Sequence, residues 1–199
     1  MVRTDLIQRC IAALDSAETR RRHAFTSGDW KPWRERIRNT VREQLGPLPT
    51  DPDAPALNIR PVSRHTFQYG TIENILFESY PGWDVNASVF LPDPDVHAPP
   101  WNAVVIPVGH SAKVRPHYQI PAQAFASFGY VAILFDPPGM AGEKQGGNDH
   151  FIDGVRTYLT GHSSNRYFIA DAIRCIDYLE TRQDVDTRAG VGMTGVSGG

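Results

Sequence analysis

The chain has 199 residues, 41% hydrophobic and 21% charged, enough to bury a core in one ordinary domain and too apolar for wholesale disorder. Lys and Arg number 20 against 22 Asp and Glu, a formal charge of −2, which gives no support to a nucleic-acid binder or a polybasic membrane anchor. Cys10 and Cys175 stand far apart with no CxxC partner, which excludes a disulfide scaffold and a cysteine-based zinc site and leaves no metal or other cofactor expected.

Reduced thiols fit a cytoplasmic setting best. No apolar run is long enough to span a bilayer. The patch at residues 10–14 is too short for a secretory signal, and Asp5, Asp15 and Glu18 argue against a transit peptide despite Arg20, Arg21 and Arg22.

Leu6, Ile7, Ile11, Leu14 and Ala17 recur at helical spacing, predicting a first helix over residues 5–22. Trp33, Ile37, Val41 and Leu45 fall four apart and predict a second over 30–45, with Asp29 as its cap and Gly46-Pro47 as its stop. Residues 46–55 carry four prolines and read as a linker. Residues 61–91 predict two or three strands, with turns at Tyr69-Gly70 and Pro81-Gly82. A proline-rich bridge follows at 92–100.

From residue 101 the pattern alternates. Apolar runs at 103–108 and 130–135 bracket a helix at 119–128. A long helix at 164–182 and a weaker strand at 189–194 follow. Fully apolar strands separated by helices predict a parallel sheet covered on both faces. Ligand chemistry in such sheets gathers at the carboxyl ends of the strands, here just after Val108, Phe135 and Thr194.

The last strand runs into Gly195-Val196-Ser197-Gly198-Gly199, a G-x-S-x-G. In that pattern a serine sits on a sharp turn after a strand, and the flanking glycines let the backbones pass and leave the hydroxyl exposed. A structural glycine-rich turn is the plainer alternative. Gly190 to Gly195 also fit G-x-G-x-x-G. That dinucleotide loop must follow a strand and open a helix, and the polar residues 182–188 supply no strand.

An oxyanion formed at such a serine takes one backbone N–H from the next residue and a second from the loop after an earlier strand. Gly198 fits the first role, and His110 or Ser111 in Val108-Gly109-His110-Ser111 the second. The His110 imidazole itself is expected to play no catalytic part. Asp136 is expected to be a structural carboxylate capping the turn that follows it. Arg166 and Asp171, near and on the long helix, are expected to be solvated or paired.

Val108-Gly109-His110-Ser111, the segment from Gly129-Tyr130 through Asp136-Pro137-Pro138-Gly139, the run Asp171 to Leu179, Arg182 to Asp186, and Gly195 to Gly199 together resemble the α/β-hydrolases of the acetyl xylan esterase-like group, which is related to the dienelactone hydrolases. Residues 33–49, ending Leu45-Gly46-Pro47, resemble that group's N-terminal helix. The resemblance implies an α/β fold with a mostly parallel sheet, N-terminal antiparallel strands and N-terminal helices. Residues 1–55 would form a helical segment and linker, and 56–199 the N-terminal part of a hydrolase domain.

It further implies Ser197 as nucleophile and a small-molecule or carbohydrate ester as substrate, an acetylated sugar being one candidate. Met140-Ala141-Gly142 departs from the group's shorter glycine pair. The larger departure is order. The family places serine first, then acid, then histidine, and every aspartate and histidine here precedes Ser197. The expectation is an N-terminal portion whose acid and histidine lie beyond Gly199 and which is a poor esterase alone. A serine peptidase on the same fold, or a non-catalytic chain that binds a partner, are the alternatives. Oligomeric state is not legible.

Overall fold

Apolar spacing and turn chemistry resolve into eleven elements in the computed structural model, which describes residues 2–50, 54–139 and 150–199. The expectation for Met140-Ala141-Gly142 lies outside the described residues. The chain divides into two compact units, Met1–Gly46 and Pro47–Gly199.

The first unit is a helical pair, α1 (Val2–Thr26) and α2 (Trp30–Leu45). α1 extends beyond the span its apolar spacing predicts, and Leu6, Ile7, Ile11 and Leu14 on it are exposed. Charge pairs one turn apart line it, Arg9 with Asp5 and Arg21 and Arg22 with Glu18. Phe25, Trp30 and Trp33 stack in sequence around the turn between the helices. Asp29 occupies the cap position of α2, but its side chain makes no capping bond and instead accepts from Ser27 Oγ at 2.9 Å.

The second unit is built on one mixed sheet in the order β1-β2-β3-β5-β4-β6. β1 (Arg60–Phe67), β2 (Gly70–Tyr80) and β3 (Trp83–Pro92) form an antiparallel meander. Its second turn is the two residues Pro81-Gly82, with Gly82 at φ +74°. β3 then pairs antiparallel with β5 (Tyr130–Phe135). β5 pairs parallel with β4 (Asn102–Pro107), which pairs parallel with β6 (Gly192–Met193). Three pairings are thus antiparallel and two parallel, with the parallel ones at the C-terminal side of the sheet.

The period-2 alternation of the two apolar runs sorts their side chains onto both faces. Ala103, Val105, Val131, Ile133 and Phe135 pack with Cys175, Tyr178 and Leu179 of α5 (Asn165–Glu180). Val104, Ile106, Val108, Ala132 and Leu134 pack with Tyr118, Ala122 and Ala126 of α3 (Pro116–Ser127). Each helix thus covers one face, as doubly buried strands require. α4 (His150–Leu159) has no counterpart in the sequence reading. Among the described residues no helix is long and apolar enough to cross a membrane.

Candidate active site

The order of the parallel strands creates the site. The chain passes from β4 through α3 to β5 on one side, then returns to place β6 on β4's other side. A crevice opens outside the carboxyl ends of strands where such a reversal occurs. The loop after β4 and the turn after β6 both lie there.

β6 is shorter than the 189–194 its sequence predicts. Trp101 pairs with Val185 and Val104 with Gly192, so the two residues between them on one side face six on the other and the excess loops out. Gly190 at φ +94° bends this segment. Gly192 lies within the strand itself, so the G-x-G-x-x-G coincidence forms no phosphate-binding loop.

After β6 the backbone turns sharply. Ser197 takes φ +63°, a left-handed conformation uncommon for a side-chain-bearing residue. The Gly199 N–H donates to the Val196 carbonyl at 3.1 Å, closing a tight turn over Ser197 and Gly198. The glycines are required by close approach. A Cβ on Gly195 would lie 2.4 Å from the Gly199 backbone, and one on Gly199 would lie 2.0 Å from the Pro107 carbonyl oxygen. Gly109 is equally confined, since a Cβ there would stand 2.3 Å from the Val196 carbonyl oxygen and 3.0 Å from Ser197 Cβ. The turn after β6 thus rests directly on the loop after β4.

That contact brings together the four residues singled out from sequence. Ser197 and Gly198 form the turn, and His110 and Ser111 follow Gly109 in the facing loop. The His110 side chain makes a contact the sequence reading did not foresee, its Nδ1 lying 2.5 Å from Ser197 Oγ. Spacing along the chain gave no signal for it, because 87 residues separate the two.

Asp136 is a structural carboxylate, but not a cap on the turn after it. Its Oδ1 accepts from the Lys113 N–H at 2.7 Å and its Oδ2 from Lys113 Nζ at 2.8 Å. Arg166 reaches His162 and Tyr80. Asp171, expected at a solvated or paired position, is 1% exposed, and its Oδ1 has no hydrogen-bond partner among the described residues. Burial pushes its carboxyl up to about 7, only softened by the Ser79 hydroxyl. No cluster of three His, Cys, Asp or Glu suited to a metal occurs among the described residues.

This sheet order, with a serine turn resting on the β4 loop, is that of the α/β-hydrolase fold. A Bacteroides fragilis protein assigned as an acetyl xylan esterase superposes with TM-score 0.66 at 18% identity, over 85% of this chain and 48% of that one. Acetyl xylan esterase 1 from Thermoanaerobacterium sp. JW/SL YS485 gives 0.55 at 16% identity, over 70% and 44%. A methylesterase gives 0.57 at 23% identity, over 70% and 30%. The chain therefore spans about half the length of these acetyl xylan esterases, and at such identities the likeness is one of fold. No family model and no curated protein matches the sequence.

Proposed function

We propose that the chain carries the nucleophile and oxyanion donors of a serine hydrolase acting on carboxylic esters. The observation that carries this reading is Ser197 at φ +63° on a turn pressed against the loop after β4. In this account Ser197 Oγ attacks the ester carbonyl, and the tetrahedral oxyanion takes N–H donors from Gly198 and from His110 or Ser111. The alcohol leaves, and water hydrolyses the acyl-enzyme. The imidazole of His110, beside Oγ, orients the hydroxyl before attack. In the order usual for the fold, the acid and the histidine that takes the Oγ proton and returns it to the leaving alcohol follow the serine in the chain.

Acetyl esters of carbohydrates are the proposed substrates, because acetyl xylan esterases share the fold. A cytoplasmic location is proposed with them, consistent with the free thiols Cys10 and Cys175. The test is a panel of acetylated sugars, simple acetyl esters and peptide amides offered to the full-length protein. Turnover of the acetyl esters with no cleavage of amides is expected. Amide cleavage without ester cleavage would turn the reading to a peptidase.

A further inference from the structure

The loop after β4 is held at every second residue. The Gly109 N–H donates to the Tyr118 hydroxyl at 2.6 Å, and Ser111 Oγ lies 3.0 Å from His117 Nε2. The Lys113 carbonyl accepts from Gln119 Nε2 at 2.7 Å. His117, Tyr118 and Gln119 are consecutive, so the opening turn of α3 grips three alternate points of one loop.

Asp136, at the end of β5, grips the last point from the other side through both the backbone and the side chain of Lys113. This ion pair is dry, with the two side chains 7% and 5% exposed. Asp136 is itself fixed, since its N–H donates to the Asn86 carbonyl of β3 at 3.1 Å. Loop positions are ordinarily soft, and this one is fastened to a helix and, through β5, to the centre of the sheet. The fastened stretch lies against Ser197 Cβ and contains the His110 and Ser111 N–H groups.

Resting on the nucleophile assignment above, we infer that Asp136 and Tyr118 are positioning residues for the reaction at Ser197. Together they set the height of residues 109–113, and so the distance from the His110 and Ser111 N–H groups to the oxyanion. Neither touches substrate. An oxyanion donor acts only where the charge develops, and displacement of such a group by about 1 Å costs on the order of a hundredfold in rate. Loosening the clamp therefore weakens transition-state binding and leaves ground-state binding nearly intact.

The experiment uses the full-length protein with Tyr118→Phe, which keeps the ring and removes the acceptor, and Asp136→Asn. Active sites are titrated with a fluorophosphonate, so that rates are expressed per competent serine. The expected result is a kcat lowered about tenfold to a hundredfold with KM within a few-fold. Affinity for phenylboronic acid, whose serine adduct is tetrahedral, should fall in step with kcat. A merely structural role would lower the titrated fraction but leave kcat per site and the boronate affinity unchanged, and that result overturns the inference. If Asp136→Asn does not fold, Tyr118→Phe decides alone. Activity that survives Ser197→Ala would instead sink the nucleophile assignment, an outcome separate from either clamp result.

Discussion

Asp171 carries a proton into the folded state. It lies on α5, and around it stand Ser79 of β2, Asp84 of β3, Asp136 beyond β5, Asp153 of α4, and Arg174 and Cys175 of its own helix. Asp84 is paired with Arg60, Asp136 with Lys113, Asp153 with Arg156 and Arg174 with Asp177, so each nearby charge already has an opposite. With its carboxyl pushed up to about 7 by burial, Asp171 stays protonated in the folded chain after the unfolded chain, at about 3.9, has released its proton. The folded pKa is raised, so the contribution of Asp171 to stability is fully present below about pH 4 and is lost as pH rises towards 7, a change of at most about 4 kcal/mol. Asp171→Asn should flatten that fall and melt higher than the parent at pH 8. Thermal melts of the full-length protein and its Asp171→Asn variant from pH 5 to 8 check it, and parallel profiles would contradict it. Neither this residue nor the partner of Asp136 was legible in the sequence. Both depend on contacts between distant elements, and a charged side chain on a helix or in a turn is by default solvated.

At the scale of elements, β4 and β5 were legible because strands buried on both faces are written as unbroken apolar runs. The two-residue Pro81-Gly82 turn marked its hairpin in the same way. α4 is harder to read, because Ile152, Val155 and Leu159 hold helical spacing over only ten residues and Gly154 in their midst lowers the helix propensity. β6 is shorter than its apolar spacing suggests, because local spacing does not reveal that Trp101 pairs ahead of it, with Val185. Among the described residues β6 pairs only with β4, so its outer edge is open. Met193 and Val196 are exposed there, and Phe125 and Tyr130 line a groove of about 440 Å³ beside it. Open apolar edges recruit other strands. The 199 residues expressed as such should therefore associate or pack loosely. Size-exclusion chromatography with near-UV circular dichroism checks this, and a sharp monomer peak with a strong near-UV signal and cooperative melting would contradict it.

For the molecule as a whole, the two hydrophobic clusters of the sheet are built, among the described residues, from positions between Leu57 and Val191, all within the second unit. α1 leaves its long aliphatic side chains exposed. The full-length protein begun at Pro47 should therefore keep the sheet's near-UV signal and lose only helical far-UV intensity. Loss of the near-UV signal would show that the helical pair is needed for the sheet to fold. The sheet and its covering helices were legible as a class because alternating apolar strands and helices admit few arrangements. The meeting of Ser197 with the β4 loop followed from the same rule about strand ends. The His110 imidazole and the clamp beneath it did not follow, since they are matters of side-chain reach across loops.

The proposed role of Ser197 as nucleophile rests on where a fluorophosphonate attaches to the full-length protein. Intact mass followed by peptide mapping should find one adduct, on Ser197, absent from Ser197→Ala. Ester turnover in that variant should fall by several orders of magnitude, as loss of a triad serine does. An adduct on another serine, or turnover that survives Ser197→Ala, would contradict the account.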